Sequence, residues 1–498
     1  MKHALLALAL AGLALPGRAQ APNAGPWTVV NTINVFSPPN IKITSMQAVS
    51  PTVCWALTDD AQPISPGHVL SPANAAGTEF NYFNITGSPG YLPASLSAAS
   101  PALALCVQYV GSAPSSGEVL RTTDAGRTWQ RVSGPTIFAA PSGFPDWVHM
   151  FDANVAVAFG DPNPLVATGS AGYFEIIRTT NASALVPAWT RVALPNLPRA
   201  GEEFGQLNGY TALGNTIWAT TTQQPSSPVA TSRVLRSLDQ GQTWAGFATP
   251  LVEYITALAF KDQLNGLAFN RQLLPSGTTV VNLVRTTDGG QTWAPLPLPA
   301  GADTLRGKFY STNLTAISGK GFMSMGQAEP GNARRSNFGV SFSPDGQRWF
   351  DLEKGGRTYN TAAFTSCPGS TDPRAFQGYL GGFTDATGAG GISQISPVTC
   401  ALLPLGTARP AANLLALTVL PNPSTTGVFR VQLATNVTPG TQLTVFDGLG
   451  RVVLAHELTA TATGTTSFGL DLHRERPGLY TLHVASPAGV ATQKLLVE

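Results

Sequence analysis

The chain has 498 residues, a net charge of +2, and only 11% charged against 43% apolar residues. That length allows two or three domains, or one large all-β domain and a small one, and so sparse and balanced a charge leaves no nucleic-acid footprint. The 51 glycines and 40 prolines suit many short strands joined by turns.

At the start, Lys2 and His3 precede the apolar run ALLALALAGLAL at 4–15, which Pro16 and Gly17 break. The run is too short for a bilayer, which takes ~20 residues. With small residues at Ala19 and Ala21 it reads as a signal peptide over 1–21. No later segment is long and apolar enough for a transmembrane helix, so an exported chain without a transmembrane segment is expected.

A short motif then recurs. It reads VLRTTDAGRTW at 119–129, VLRSLDQGQTW at 234–244 and LVRTTDGGQTW at 283–293. IIRTTNASALVPAW at 176–189 is a copy with an insertion, and GVSFSPDGQRW at 339–349 is one residue shorter. The closing tryptophans, Trp129, Trp189, Trp244, Trp293 and Trp349, lie 49 to 60 residues apart. Spacing of this order, with several strands per repeat, predicts propeller blades.

Each motif reads as a hairpin. The aspartate can accept backbone amides of its own turn, the glycine permits positive φ, and the indole buries a large apolar area. Asp124, Asp239, Asp288 and Asp345, with Trp129, Trp244, Trp293 and Trp349, are therefore structural. Between the motifs run apolar strand pairs, from ITSMQAVSPTVCWAL at 43–57 to YNTAAF at 359–364 with FQGYLGG at 376–382. They number seven, with six or eight blades as alternatives because 59–100 is irregular. Trp27-Thr-Val-Val reads as an outer strand that the N-terminus donates to the last blade, which removes a sheet edge.

The motifs resemble the Asp-box, or BNR, repeat family, which includes sialidases, sortilin-type receptors and photosystem-assembly-factor-like propellers. The sialidase Phe/Tyr-Arg-Ile-Pro motif is missing. Arg121, Arg178, Arg236 and Arg285 occupy one repeat position beside the box, not a converging substrate-binding triad.

A Pro/Ala-rich linker over 403–416 follows, and 417–498 then alternates polar and apolar residues. The predicted architecture is all-β: a seven-bladed β-propeller over 22–402 and a small immunoglobulin-like β-sandwich over 417–498. The tail carries Pro421-Asn422-Pro423, Gly427 and Phe429, Val445-Phe446-Asp447 with Gly450-Arg451, Pro477-Gly478-Leu479-Tyr480 and a final Lys494-Leu495-Leu496-Val497. In that order these features resemble the type A sorting domain of type IX secretion in Bacteroidota. The resemblance implies Sec export, then outer-membrane passage, with 417–498 meeting the secretion machinery and the protein released or held at the cell surface.

An oxidising compartment permits disulfides. Four cysteines allow three pairings, and proximity in sequence favours Cys54–Cys106 and Cys367–Cys400, with free buried thiols as the alternative. No metal site is expected, because CxxC spacing and histidine clusters are missing, and no cofactor is implied.

One constellation could carry chemistry. HMFDANVAVAFGDP at 149–162 and LPRAGEEF at 197–204 resemble elements of the photosystem-stability-factor subgroup, which implies that Asp161, Glu202 and Glu203 share one face near the channel mouth. They are the candidates for a polar or cation-binding site or an acid/base pair, set against ordinary turn chemistry at Asp161-Pro162. His149 reads as a strand residue. The expected function is a non-catalytic module that binds an extracellular glycan or protein. The alternative is a glycan-active hydrolase using these carboxylates.

Overall fold

The computed structural model describes residues 28–32, 42–59, 67–110, 114–141, 143–163, 173–194, 203–223, 231–274, 279–298, 309–326, 339–354, 359–367, 370, 375–382, 391–394, 401–402, 417–433, 441–447, 451–458, 466–486 and 489–498. The expected signal peptide, Trp27, Glu202, Cys400 and the linker 403–416 lie outside them. Every regular element among the described residues is a β-strand, and the chain divides into two compact units, 1–404 and 405–498.

The first unit holds six four-stranded antiparallel sheets, a seventh with five strands, and a two-stranded ribbon. Six sheets run up and down in chain order with the first strand innermost, and the seventh does so from Thr361–Ser366 outwards. The seven first strands are Lys42–Ser50, Leu92–Ala98, Pro145–Met150, Tyr210–Leu213, Ala257–Phe260, Asn313–Ile317 and Thr361–Ser366. Second strands are covered on both faces and read as continuous apolar runs: the first five residues of Ala104–Val110 and all of Gly321–Gly326 are buried. Three of the fourth strands shrink to exposed pairs, Gln130–Arg131, Thr190–Arg191 and Ala294–Pro295.

Seven apolar clusters each bridge two consecutive sheets and return to the first. Trp55, Trp147, Trp218 and Trp349 are fully buried in them. Trp218 stacks on Phe260 with centroids 3.8 Å apart and planes 8° from parallel; truncating such a side chain costs about 3–5 kcal/mol. Thr28–Thr32 pairs antiparallel with Gly391–Gln394, so the N-terminal strand completes the last sheet, as expected.

The motif turns link third to fourth strands. Asp288 Oδ1 accepts the Thr292 amide at 3.0 Å and the Thr286 hydroxyl at 2.8 Å, and Oδ2 accepts the Thr292 hydroxyl at 2.5 Å. The Trp293 indole donates to Gly290 O at 3.1 Å. Asp124 and Asp239 repeat this pattern, and Asp345 accepts the Gln347 and Arg348 amides. Asn181 fills the role in the inserted copy, accepting the Thr179 hydroxyl and the Ala188 amide. A further turn of this kind escapes the sequence motif: Asn74 accepts the Thr78 amide at 3.0 Å, without a following tryptophan.

The motif arginines join neighbouring sheets. Arg121 donates to Ala182 O, Arg178 to Gln240 O and Arg236 to Gly289 O, each a carbonyl of the next motif turn.

One expected disulfide is corrected. Cys54 and Cys106 are free and buried, on second strands of different sheets, in separate apolar clusters. Neighbouring sheets face each other through packed side chains, and closeness in sequence does not bring these two sulfurs together. Cys367 is disulfide-bonded; its expected partner, Cys400, lies outside the described residues.

The second unit has a three-stranded sheet, Leu417–Leu420, Val428–Leu433 and Thr466–Asp471, and a four-stranded sheet, Val452–Leu458, Thr441–Phe446, Gly478–Ser486 and Gly489–Val497. Strict alternation, buried at Phe429, Val431 and Leu433 and exposed between, turns one face of each sheet into a shared core.

Candidate functional site: a central cavity and nearby carboxylates

The seven first strands ring a cavity of about 530 Å³. All seven sheets contribute to its wall, through residues such as Gln47, Leu96, His149, Thr211, Asn313 and Thr361. Among the described residues that line it there is no Asp, Glu, Lys or Arg. The wall is hydroxyl, amide and apolar surface.

His149 faces this space, edge-on to Phe151 at 4.6 Å and to Tyr210 at 5.5 Å. Desolvation pulls its pKa down to about 4, so the imidazole is neutral at physiological pH and offers one donor and one acceptor. The Tyr210 hydroxyl donates to Val148 O at 3.0 Å, and burial pushes its pKa up.

The predicted carboxylates have different fates. Glu203 is fully buried and bound in bidentate fashion by Arg233, Nε to Oε1 at 2.9 Å and Nη2 to Oε2 at 2.5 Å. Arg233 lies six residues before Asp239, and Glu118, Glu175, Asn282 and Gly339 stand at the same offset from their own turns. In four of the sheets this position anchors the segment that leads in; Gly339 has no side chain to do so. Glu118 accepts the Ser88 amide and hydroxyl, both at 2.8 Å, ahead of Leu92–Ala98. Glu175 accepts the Phe138 amide at 3.1 Å ahead of Pro145–Met150. Asn282 donates to Asn270, which donates to Val252 O ahead of Ala257–Phe260. Glu203 ahead of Tyr210–Leu213 is the same anchor with the charges exchanged. The sequence conceals the repeat because the residue type changes from sheet to sheet.

Asp161 ends the strand Ala156–Pro162, half-buried, with its Oδ1 accepting the Gly205 amide at 2.8 Å. It does not line the cavity. Its close neighbour is a residue the sequence reading passed over, Asp146, which is 2% exposed. Burial, and after it the charge of Asp161, pushes the Asp146 carboxyl well above the usual carboxylate range. Asp146 is the extra residue of a β-bulge, since Pro145 pairs with Gly160 and Trp147 with Phe159, and bulges re-aim side chains in ways no residue pattern reveals. Of the three predicted carboxylates, Asp161 and Glu203 flank the segment beginning at Gly205, and Glu202 lies outside the described residues.

Residues 418–498 match the family described as secretion system C-terminal sorting domain. The chain thus carries a type IX sorting signal, which interacts with that machinery and sends the protein to the cell surface or the extracellular space. No curated protein matches the chain. Among solved structures, the chain is similar to YCF48 bound to D1 peptide, at 13% identity and a TM-score of 0.45, covering 76% of this chain and 98% of that one. It is similar to the α-L-arabinofuranosidase of Fusarium graminearum, at 12% identity and a TM-score of 0.34, covering 61% and 92%. It is also similar to the GH74 xyloglucanase from Xanthomonas campestris, at 14% identity and a TM-score of 0.32, covering 71% and 59%. The propeller-like neighbours thus include a peptide-bound protein and glycoside hydrolases, and likeness of fold does not choose between binding and hydrolysis.

Proposed function

We propose that the chain is a seven-bladed Asp-box β-propeller with an immunoglobulin-like sorting domain, made with a cleaved leader over 1–21 by a bacterium of the Bacteroidota. Outside the cell it acts as a non-catalytic binding module whose ligand enters the central cavity. The observation that carries this reading is the cavity wall: all seven sheets contribute to it, hydroxyl and amide side chains such as Gln47, Thr211, Asn313 and Thr361 stand among apolar ones, and no Asp, Glu, Lys or Arg is among its described residues. Such a wall suits an uncharged ligand rich in hydroxyls or amides, a glycan or a peptide backbone.

Binding of the mature protein to a glycan array and a peptide library tests it. Thr211→Trp, which fills the cavity, removes the binding if the reading is right; ligands that persist on the filled variant overturn it. Export is tested by deleting 417–498, which is expected to keep the protein inside the cell.

The hydrolase alternative has one observation in its favour. Asp146 and Asp161 are adjacent carboxyls, and the raised pKa of Asp146 suits the proton-donor half of an acid/base pair. Both face the Gly205 segment instead of the open cavity. Glycan hydrolysis by the wild type that Asp161→Asn abolishes would establish the alternative.

A further inference from the structure

The two-stranded ribbon, Glu203–Phe204 with Thr222–Gln223, is the one described element of the first unit outside the seven sheets. From it the chain passes through Gly205, Gln206, Leu207, Asn208 and Gly209 before Tyr210 begins the fourth sheet. Gln206 to Gly209 form part of the cavity wall.

This segment is tied to the ends of two neighbouring sheets. In Leu92–Ala98 the register shifts between Pro93 and Ser95, and in Pro145–Met150 between Pro145 and Trp147. Ala94 and Asp146 are thus bulge residues, and a bulge leaves backbone groups outside the ladder. Asn208 takes both carbonyls. Its amide donates to Asp146 O at 3.1 Å and its Nδ2 to Ala94 O at 2.9 Å. To do so it adopts φ of 54°, a left-handed conformation that asparagine tolerates better than most residues. At the other end the Gly205 amide donates to Asp161 Oδ1. Gly205 also touches the second carboxyl: a Cβ built on it would lie 1.8 Å from Asp146 Oδ2. That oxygen is buried and without a hydrogen-bond partner among the described residues.

We propose that Gly205–Gly209 is a releasable strap on the central cavity, seated while Asp146 is protonated and freed when Asp146 ionises, so that proton uptake controls how far the cavity opens. The effect on ligands rests on the cavity reading above; the strap itself does not. Among the described residues, Asp161, Glu203 with Arg233, and His149 bear on the switch. Asp161, on the adjoining strand, is the charge that acts on Asp146. Glu203, at the root of the strap, is neutralised by Arg233, and His149 on the same strand as Asp146 is neutral. Ionising Asp146 places a second negative charge beside Asp161, with no donor on its Oδ2, in a site closed to water.

The sign follows from linkage. An acid whose pKa is raised in the closed state stabilises that state fully below its open-state pKa, ~3.9. The stabilisation is lost as pH rises from there towards the raised value. The opening constant of the strap therefore climbs by up to about tenfold per pH unit across that window.

Amide hydrogen exchange of the full chain, followed from pH 5 to 9 and corrected for the intrinsic rate, tests the proposal. Protection at 205–209 is expected to fall by up to about tenfold per pH unit while protection at the Asp239 turn follows no such slope. Asp146→Asn should abolish the slope. Gly205→Ala should leave the strap poorly protected at every pH, because the new methyl group collides with Asp146. A flat profile in the wild type, or an unchanged slope in Asp146→Asn, overturns the proposal. Should Asp146→Asn fail to fold, the wild-type profile and Gly205→Ala still decide. No ligand is present, so a cavity that binds nothing leaves this test intact, and a flat profile leaves the cavity reading intact.

Discussion

The outer rim and the inner ring of the first unit solve the same problem in opposite ways. At the rim, a side-chain oxygen caps a turn again and again, a tryptophan closes that turn from within, and an arginine ties it to its neighbour. The carboxylates are half-exposed and ionised. Around the inner ring the chemistry changes from sheet to sheet, with Glu118 and Glu175 alone alike. The side chain anchoring the incoming segment is Glu in two sheets, Arg in a third and Asn in a fourth, and at Asp146 burial pushes the carboxyl well above the usual range. The rim repeats because each turn needs only local bonds. The inner ring varies because each segment there crosses a different neighbour, and variation is what a binding surface requires.

The largest effect that would break this contrast belongs to the inner anchors. Glu203→Ala is expected to cost about 3–5 kcal/mol, because it takes the bidentate carboxylate from the largely buried Arg233 charge, and Glu203→Arg with Arg233→Glu should recover part of it. Thermal unfolding checks both; a loss below about 1 kcal/mol would show that the pair is no more than a surface contact. At the rim, Asp288→Ala should cost about 1.5–3 kcal/mol. Asp288→Asn should cost less than about 1 kcal/mol, since Asn181 and Asn74 already cap such turns. Denaturant midpoints that rank the two variants equally would mean that the charge, not the acceptor geometry, matters.

Acid and base should then separate the two regions. At Asp288, desolvation disfavours the charge, but hydrogen bonds from Thr292 and Thr286 outweigh it and hold the pKa at about 2. Its stabilisation is complete above ~3.9 and is lost as pH falls through about 2. Asp146 has the opposite sign and loses its contribution as pH rises. Exchange protection should therefore weaken first at the rim in acid and first at the strap in base; weakening of both at the same end of the pH scale contradicts the assignment. The smallest effects on stability belong to the cavity wall. His149→Gln and Thr211→Val should change stability by no more than about 0.5 kcal/mol while lowering affinity for any cavity ligand. Ligand affinity untouched by either would move the site elsewhere.

How far the sequence revealed these regions follows the same divide. The motif turns, the strand donated by the N-terminus and the alternating tail were legible because identity or period repeats in them. The Asn74 turn was hidden by the loss of both the aspartate and the tryptophan. The anchors were hidden because Glu118, Arg233 and Asn282 share a place and not a chemistry. Asp161 was singled out as a candidate, but Asp146 was passed over, because no residue pattern marks the bulge in which it lies. Glu203 was misjudged because its guanidinium partner lies 30 residues on. The pairing of Cys54 with Cys106 failed because nearness along the chain was mistaken for nearness in space.

The strand Thr28–Thr32 lies beside Gly391–Gln394. An early strand of the ring is thus completed by one made only after all the other sheets of the unit. Contacts at such separation are slow to form, and until they form the sheet keeps an open edge. The ring therefore cannot close before the segment at 391–394 has been made, whatever order its other sheets follow.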